Sequence, residues 1–494
     1  MSISQLIYGF IHQAVDDQLL EAIDELYVRN RLLALFNQSE YRDEAESGDR
    51  RPLLDWLDDL VEYGVTHQII DDTQSDRDIL EASVMDLLMP KPSDLNHEFW
   101  HLYAENPEVA TDYFYQLSKQ SNYIKTREIA KNVAFTGETK YGNLQITINL
   151  SKPEKDPVEI AKAKSMPQVN YPKCALCMEN EGYRGHINHA ARQNHRIIRM
   201  DLDNGLYGFQ YSPYLYYNEH SIFLSDKHEP MVIDLKCFDN LLEIIEIFPH
   251  YFVGSNADLP GVGGSILTHD HYQGGRQVFP MDQAEVIDVV AVNHHDEVEC
   301  ELLKWPMSVI RLRSADKDQL LDAANQILQA WRQYDDPDND IYAETDQPHN
   351  TVTPIARRKG EQFELDLVLR NNRTTEELPL GIFHPHPDVH HIKKENIGLI
   401  EVMGLAILPP RLLAEVETIK QYLLGEVALD EVKVYHQTWA ESLKADYADD
   451  VEVSDFIQQG IVKKFERVLE DAGVYKQTEQ GLTGLKQFIE SVDL

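Results

Sequence analysis

Up to about residue 135 the apolar positions recur at helical spacing. Leu19, Ile23 and Leu26 fall on one helical face, with Asp16, Asp17, Glu21 and Asp24 on others. Leu53, Leu54, Trp56, Leu57, Leu60 and Val61 repeat the pattern before Gly64. Asp55, Asp58 and Asp59 then read as a solvated face. Tyr103, Tyr113, Phe114 and Tyr115 read as core or inter-domain packing. Near Gly137 the period changes. Gln145–Leu150 alternates as a half-buried strand does.

A polar, proline-broken loop follows at Ser151–Pro157. Its Lys152 and Lys155 could neutralise a phosphate, although such lysines are more often simply solvated. Between Arg196 and Leu224 apolar and aromatic positions sit between turn signals at Asp203-Asn-Gly205 and Ser212-Pro213, which predicts strands. Phe238–Phe248 reads as an amphipathic helix. Val278–Phe279 and Val309–Leu312 read as further strands, Asp316–Tyr334 as a helix, and Thr351–Leu369 as a hairpin turning at Arg358-Lys-Gly360. From Pro410 onward the pattern is mostly helical. Antiparallel strands with crossing helices make an α+β fold. The expected organisation is a helical N-terminal region (1–138), a catalytic half (139–345) and a C-terminal half (346–494) holding the hairpin, a histidine-rich segment and the helical tail.

Charge narrows the function classes. Lys plus Arg number 45 and Asp plus Glu 84, a formal net charge of −39. Nucleic-acid binding would need a basic footprint, so no nucleic-acid partner is expected. An anionic small molecule can still be held by a local pocket of cations or backbone N–H groups. The opening residues lack a basic segment followed by an apolar run, and no stretch is apolar enough to span a membrane. A cytoplasmic protein is expected. The four cysteines, Cys174, Cys177, Cys237 and Cys300, are few for 494 residues and favour metal binding over disulfides.

The chemistry concentrates in Ser255–Gly275. At its centre stand His269-Asp270-His271-Tyr272-Gln273. In an extended strand His269, His271 and Gln273 share one face, and Asp270 and Tyr272 the other. An imidazole there can be nucleophile, base or metal ligand. The carboxamide can donate to an anionic oxygen. Gly261, Gly263 and Gly264 let backbone approach a ligand or turn N–H groups on a phosphate. With Asn256 upstream, the constellation reads as a site more than as a turn followed by two surface histidines.

Cys174-x-x-Cys177 can place two sulfurs on one metal ion, with His228 and His269 as candidate further ligands of a Cys2His2 site. Alternatively the pair is two buried thiols in a turn. A second H-x-H lies at His384-Pro-His386, followed by Asp388, His390 and His391. Only the first H-x-H has a glutamine two residues on and a glycine cluster upstream, so the nucleophile is assigned to His271. The second cluster could bind metal or sugar phosphate, or form a structural turn.

These residues resemble the active-site motif of the hexose-1-phosphate uridylyltransferases, a branch of the histidine-triad superfamily. Glutamine at 273, where the wider pattern has a third histidine, marks the transferase branch. Cys174-x-x-Cys177 with Asn180, and Ser225-Asp-Lys-His228, are similar to the family's zinc segments. Tyr214–His220, Pro348–Pro354 and His384–His391 resemble the second, Firmicute-type class, which carries an extra N-terminal region. The resemblance implies a histidine-triad-like α+β fold. It implies transfer of the uridylyl group from UDP-glucose to galactose 1-phosphate in the Leloir route, by a ping-pong path through uridylyl-His271. Zinc would sit on Cys174, Cys177, His228 and His269. Gln273 would stabilise the adduct, Asn256, Gly263, Gly264 and Ser265 would serve the phosphates or uridine, and Glu401 the hexose. A homodimer follows by the same analogy.

Departures from the better-known class are also visible. Proline between its histidines is Asp270 here, and Ser265 stands one position earlier than its serine. The tyrosine beside its hexose-contacting glutamate is Ile400 here. A second metal in that class uses a glutamate and three histidines. His349, His384 and His386 are the candidate counterparts, and no glutamate is assigned. Two rival readings remain. One is a nucleotide phosphorylase or hydrolase of the same superfamily, which Gln273 disfavours. The other is a non-catalytic, zinc-stabilised nucleotide-sugar binding protein, which would not need His271 or Gln273.

Overall fold

The computed structural model describes residues 1–42, 50–151, 169–264, 266–291, 295–448 and 451–492. Ser265, Lys152 and Lys155 lie outside the described residues.

The amphipathic N-terminal repeats form α1 (Ile3–Asp16), α2 (Glu25–Leu35), α3 (Leu53–Thr66), α4 (Gln74–Asp86), α5 (Pro92–Glu105), α6 (Pro107–Gln120) and α7 (Thr126–Ile129). Helices α1 to α4 enclose an apolar cluster of their own, including Phe10, Phe36 and Trp56. Two expectations fail here. Leu19, Ile23 and Leu26 do not share a buried helical face: Ile23 is 89% and Leu26 63% exposed. Leu19 lies in the turn after α1, Ile23 in a 3-10 turn (Ala22–Asp24) and Leu26 in α2, so the periodicity does not run along one helix. Helix α2 buries Val28 and Leu32 instead. Nor is the aspartate face of α3 merely solvated, because Arg127 donates to Asp55 and Asp58, each at 2.6 Å.

Strands follow at β1 (Val133–Thr139), β2 (Gly142–Ile148), β3 (Ile198–Leu202), β4 (Gly205–Tyr211), β5 (Ser221–Ser225), β6 (Phe252–Gly254), β7 (His271–Gly275), β8 (Val286–Val290), β9 (Glu299–Leu303), β10 (Val309–Ser314), β11 (Asn350–Lys359), β12 (Gln362–Asn371) and β13 (Leu405–Leu408). Ten form one sheet in the order β3-β4-β5-β7-β6-β11-β12-β10-β9-β8, with every neighbouring pair antiparallel. A three-stranded sheet, β1-β2-β13, carries one parallel pair, β13 on β2. The fold is α+β, as expected. Val278–Phe279 is not a strand. Pro280 opens a 3-10 turn there, and the Phe279 N–H is taken by the Asp282 carboxylate at 2.9 Å.

The remaining helices are α8 (Leu235–Ile247), α9 (Lys317–Trp331), α10 (Leu399–Val402), α11 (Arg411–Leu423), α12 (Val434–Asp446), α13 (Val453–Ala472) and α14 (Glu479–Ser491). Asp234 caps α8 and Asp316 caps α9, each satisfying an orphan N–H of the first turn. On one face of the large sheet, Phe209, Phe223, Val253, Leu365 and Leu367 join Phe99 and Phe114 and the apolar sides of α8 and α9 in the main core. Tyr103, Tyr113 and Tyr115 pack against it, as their pattern predicts. The second face lies under β1, β2, β13 and α10 to α13 and carries Phe252, Ile355 and Val368.

Register assigns the candidate site residues to that second face. Gln273 pairs with Gly254, and Gly254 with Ile355, so the Gln273 and Ile355 side chains point the same way. His271, two residues before Gln273, shares that face, and so does Arg370, which stands opposite Thr351. Polar side chains on a covered sheet face are costly unless partnered. Further along, Arg311 and Arg357 answer Asp366 and Glu364 in a buried ion network.

Candidate active site

The metal-type cluster is built first, because it anchors the start of β7. Cys174, Cys177, His228 and His269 bring their ligand atoms within 4.8 Å of one another. Cys174 Sγ lies 3.6 Å from Cys177 Sγ and 3.3 Å from His269 Nδ1. Cys177 Sγ lies 3.3 Å from His228 Nδ1 and 3.7 Å from His269 Nδ1. A tetrahedral zinc with ordinary bond lengths separates two sulfurs by about 3.8 Å and sulfur from nitrogen by about 3.6 Å. The donor set fits a metal of that kind.

The cluster's supports fit it too. His269 Nε2–H donates to the Ser225 carbonyl at 2.9 Å, leaving the Nδ1 lone pair facing the sulfurs. Asn180 Nδ2 donates to the carbonyls of Cys174 and Cys177 at 2.9 and 2.8 Å, tying the turn together. Burial pushes the Cys177 thiol up to about 11. Burial also opposes ionisation of Cys174, but the facing His269 ring and the Leu176 N–H outweigh it and hold that thiol below its ordinary value. Without a cation, burial opposes a second negative charge on this pair of thiols. A divalent cation between them would allow two.

His271 sits at the first position of β7 and is buried. Its Nδ1–H donates to the His269 carbonyl at 2.8 Å. That bond fixes the tautomer and leaves Nε2 as the free lone pair. Burial lowers the imidazole to about 4, so it is neutral near pH 7.

On the opposite face, Tyr207 donates to Asp270 at 2.8 Å and Tyr272 donates at 3.4 Å. Asn240 donates to both phenol oxygens at 2.9 Å. The alternation expected from sequence is therefore observed, with Asp270 bolting the strand to the core.

Gln273 has a partner that the sequence reading did not identify. His220 Nε2–H donates to Gln273 Oε1 at 3.1 Å. Burial lowers His220 to about 4, so it too is neutral. With Oε1 occupied, the Gln273 NH2 is left to donate elsewhere. His220 is delivered by Glu219, a non-glycine residue with a left-handed φ of 54°. Tyr251 donates to the Glu219 carboxylate at 2.6 Å and Arg276 pairs with it at 3.1 Å, which holds that conformation.

Asn256 and Glu401 meet at the start of α10. Leu399 N–H donates to Asn256 Oδ1 at 2.9 Å, and Gly398 N–H donates to Glu401 Oε2 at 3.0 Å. Glu401 also pairs with the buried Lys393. Gly263 and Gly264 lie against the same asparagine segment. A Cβ on Gly263 would sit 2.1 Å from the Ala257 carbonyl oxygen, and one on Gly264 2.7 Å from Asn256 Nδ2. The missing side chains are thus consumed by packing onto residues 256–257. Arg370, also unforeseen, donates to the Ile397 carbonyl at 2.9 Å and to Thr353 at 3.2 Å. Burial lowers this guanidinium to about 10.

His349, His384 and His386 are not gathered with one another. His349 binds Asn372 and Thr345 at 2.8 and 2.6 Å. His384 bonds Asn396 at 3.2 Å, and His386 bonds the Ile382 carbonyl at 3.1 Å. Among the described residues, the Cys174 group is the metal-type cluster that forms.

The family models and the curated relatives agree with one another. A family model described as galactose-1-phosphate uridyl transferase, N-terminal domain, matches residues 18–230, and its C-terminal counterpart matches residues 243–441. The chain is 52% identical over 493 residues to galactose-1-phosphate uridylyltransferase 2 of Streptococcus pneumoniae serotype 4, spanning 99% of each chain. It is 51% identical over 492 residues to a galactose-1-phosphate uridylyltransferase of Streptococcus thermophilus, again spanning 99% of each. Among solved structures it is similar to yeast Ap4A phosphorylase Apa2, at 13% identity and a TM-score of 0.35, over 67% of this chain and 91% of that one.

Proposed function

Because the chain belongs to the galactose-1-phosphate uridylyltransferase family, we propose that it moves the uridylyl group of UDP-glucose to galactose 1-phosphate, in galactose metabolism, in two displacements through His271. In the first, the Nε2 lone pair attacks the α-phosphorus. The bond to glucose 1-phosphate breaks, and that product leaves with the electron pair. In the second, a phosphate oxygen of galactose 1-phosphate attacks the same phosphorus and the N–P bond breaks. Nε2 carries positive charge while it is uridylylated. The Nδ1–H bond to the His269 carbonyl favours that state.

The observation carrying this reading is the pairing of a neutral imidazole whose Nε2 is free with a carboxamide whose oxygen is already engaged. The Gln273 NH2 donates to a non-bridging phosphoryl oxygen as charge develops there. Asn256 keeps its Nδ2 for the phosphates or uridine. Gly263 and Gly264 set its position, and Ser265 is assigned to the phosphates by its place in the motif alone. Glu401 receives the hexose hydroxyls. Zinc on Cys174, Cys177, His228 and His269 would hold the residues before β7, so that the His269 carbonyl is correctly placed under His271.

An exchange assay tests the activity. Purified protein given UDP-glucose and galactose 1-phosphate is expected to release glucose 1-phosphate and UDP-galactose, and His271→Gly to lower turnover at least about a thousandfold. Turnover surviving in His271→Gly would remove the nucleophile assignment. Release of UMP without UDP-galactose would replace transfer by hydrolysis.

A further inference from the structure

A cavity of about 1070 Å³ lies among α11, α12, α13 and the histidine-rich segment. Its lining includes Lys463, Lys464 and Arg467 from α13, His391 from the histidine-rich segment, and Trp439 from α12. None of the residues from 256 to 273 lines it. The volume exceeds that of an ordinary small-ligand pocket, which runs to about 1,000 Å³.

Its charge is unusual for this chain, in which acidic residues outnumber basic ones by 84 to 45. Arg467 is partly committed, pairing with Asp471 at 2.8 Å. Arg411, also on the lining, is committed to Glu415 at 2.6 Å. Among the described residues Lys463 and Lys464 have no carboxylate within ion-pair distance, although they are neighbours on one helix and face one cavity. Both ammonium groups are thus available to an anion in the cavity. Asp388 and Asp446 also line the cavity, and both are exposed.

The histidine adds a complementary group. Glu415 accepts from His436 Nε2–H at 3.0 Å, and His436 Nδ1 lies 2.8 Å from His391 Nδ1. One proton serves that contact. With His436 donating from Nε2, its Nδ1 accepts and His391 Nδ1–H donates. Burial lowers both imidazoles below their ordinary value, which keeps this neutral arrangement. His391 Nε2 is left as an acceptor, with no protein partner among the described residues. It suits a hydroxyl, whether of a sugar or of a singly protonated phosphate.

We propose that this cavity is a second ligand site, separate from the His271 site, which takes a phosphate-bearing anion on Lys463, Lys464 and Arg467 and a hydroxyl of that ligand on His391. Free inorganic phosphate and a phosphorylated metabolite share this chemistry.

Calorimetric titration of the full-length protein with inorganic phosphate and, separately, with ribose 5-phosphate distinguishes them. Saturable binding is expected, weakened about tenfold or more in the double variant Lys463→Ala/Lys464→Ala and unchanged in Asn256→Ala. Equal affinity for the two probes assigns the site to free phosphate, and tighter ribose 5-phosphate binding to an organic phosphate. The lysines are surface residues of a long helix, so both variants are checked for native circular dichroism. Single Arg467→Ala gives the same readout should the double variant fail to fold. No binding up to about 10 mM of either probe overturns the proposal. So does binding lost only in Asn256→Ala. Loss of self-association in the lysine variant, without phosphate binding, would make the cavity an interface between copies of this chain and overturn it equally.

Discussion

At the scale of residues, the site rests on single hydrogen bonds that select one tautomer or one rotamer. His220 is the clearest case. It touches no reacting atom in the proposed mechanism and acts through Gln273. His220→Ala is expected to lower kcat by roughly tenfold to a hundredfold with little change in KM for UDP-glucose. His220→Asn, which can still donate to Oε1, should restore part of the loss. Equal losses in both variants would mean that His220 merely fills space. Gly263 makes a different kind of demand. A methyl group there meets a backbone carbonyl, so Gly263→Ala should cost about 1–3 kcal/mol of stability and displace Asn256. A thermal midpoint and a KM for UDP-glucose that both stay unchanged would contradict that packing.

Elements show how one strand acquires two jobs. Strand β7 presents His271 and Gln273 on one face, while Asp270 and Tyr272 enter a tyrosine–asparagine network on the other. Alternation made this sidedness legible before any coordinates. The network itself was not legible, because Tyr207 and Asn240 come from distant stretches that carry no motif. Spacing alone also flagged Cys174-x-x-Cys177, whereas the supporting bonds of Asn180 and Ser225 need the fold. The N-terminal misreading has a local cause. Leu19, Ile23 and Leu26 keep a helical spacing across a turn and a 3-10 segment (Ala22–Asp24) that the pattern does not reveal. Cys174→Ser is expected to lower both zinc content and the thermal midpoint. Unchanged values in metal-replete protein would remove the proposed zinc site.

For the whole molecule, two covered sheet faces leave several imidazoles buried and neutral. His220 is lowered to about 4 and His391 to about 3, both through burial. The unfolded chain binds protons at these positions from about pH 6.5 downward, whereas the folded protein does not. Stability is therefore fully present above that pH and falls as the pH drops toward 4. Each such histidine contributes up to about 1.4 kcal/mol per pH unit across the window. Denaturant midpoints measured at about pH 7, 5.5 and 4.5 should fall in that order, and less steeply in His391→Gln. A flat profile would contradict neutral burial. The family was readable from the stretch around His271 and the cysteine, tyrosine and histidine segments that accompany it. The cavity among α11 to α13 was not, because its lining comes from four separate segments.

The central claim is that His271 carries the uridylyl group. Its most direct test is the half-reaction, with UDP-glucose labelled in the uridylyl phosphate and no acceptor present. The account predicts acid-labile label on His271, close to one per chain, with glucose 1-phosphate released in step and the label chased into UDP-galactose by galactose 1-phosphate. Label on another residue, or turnover with no protein-bound label at any time, would contradict it.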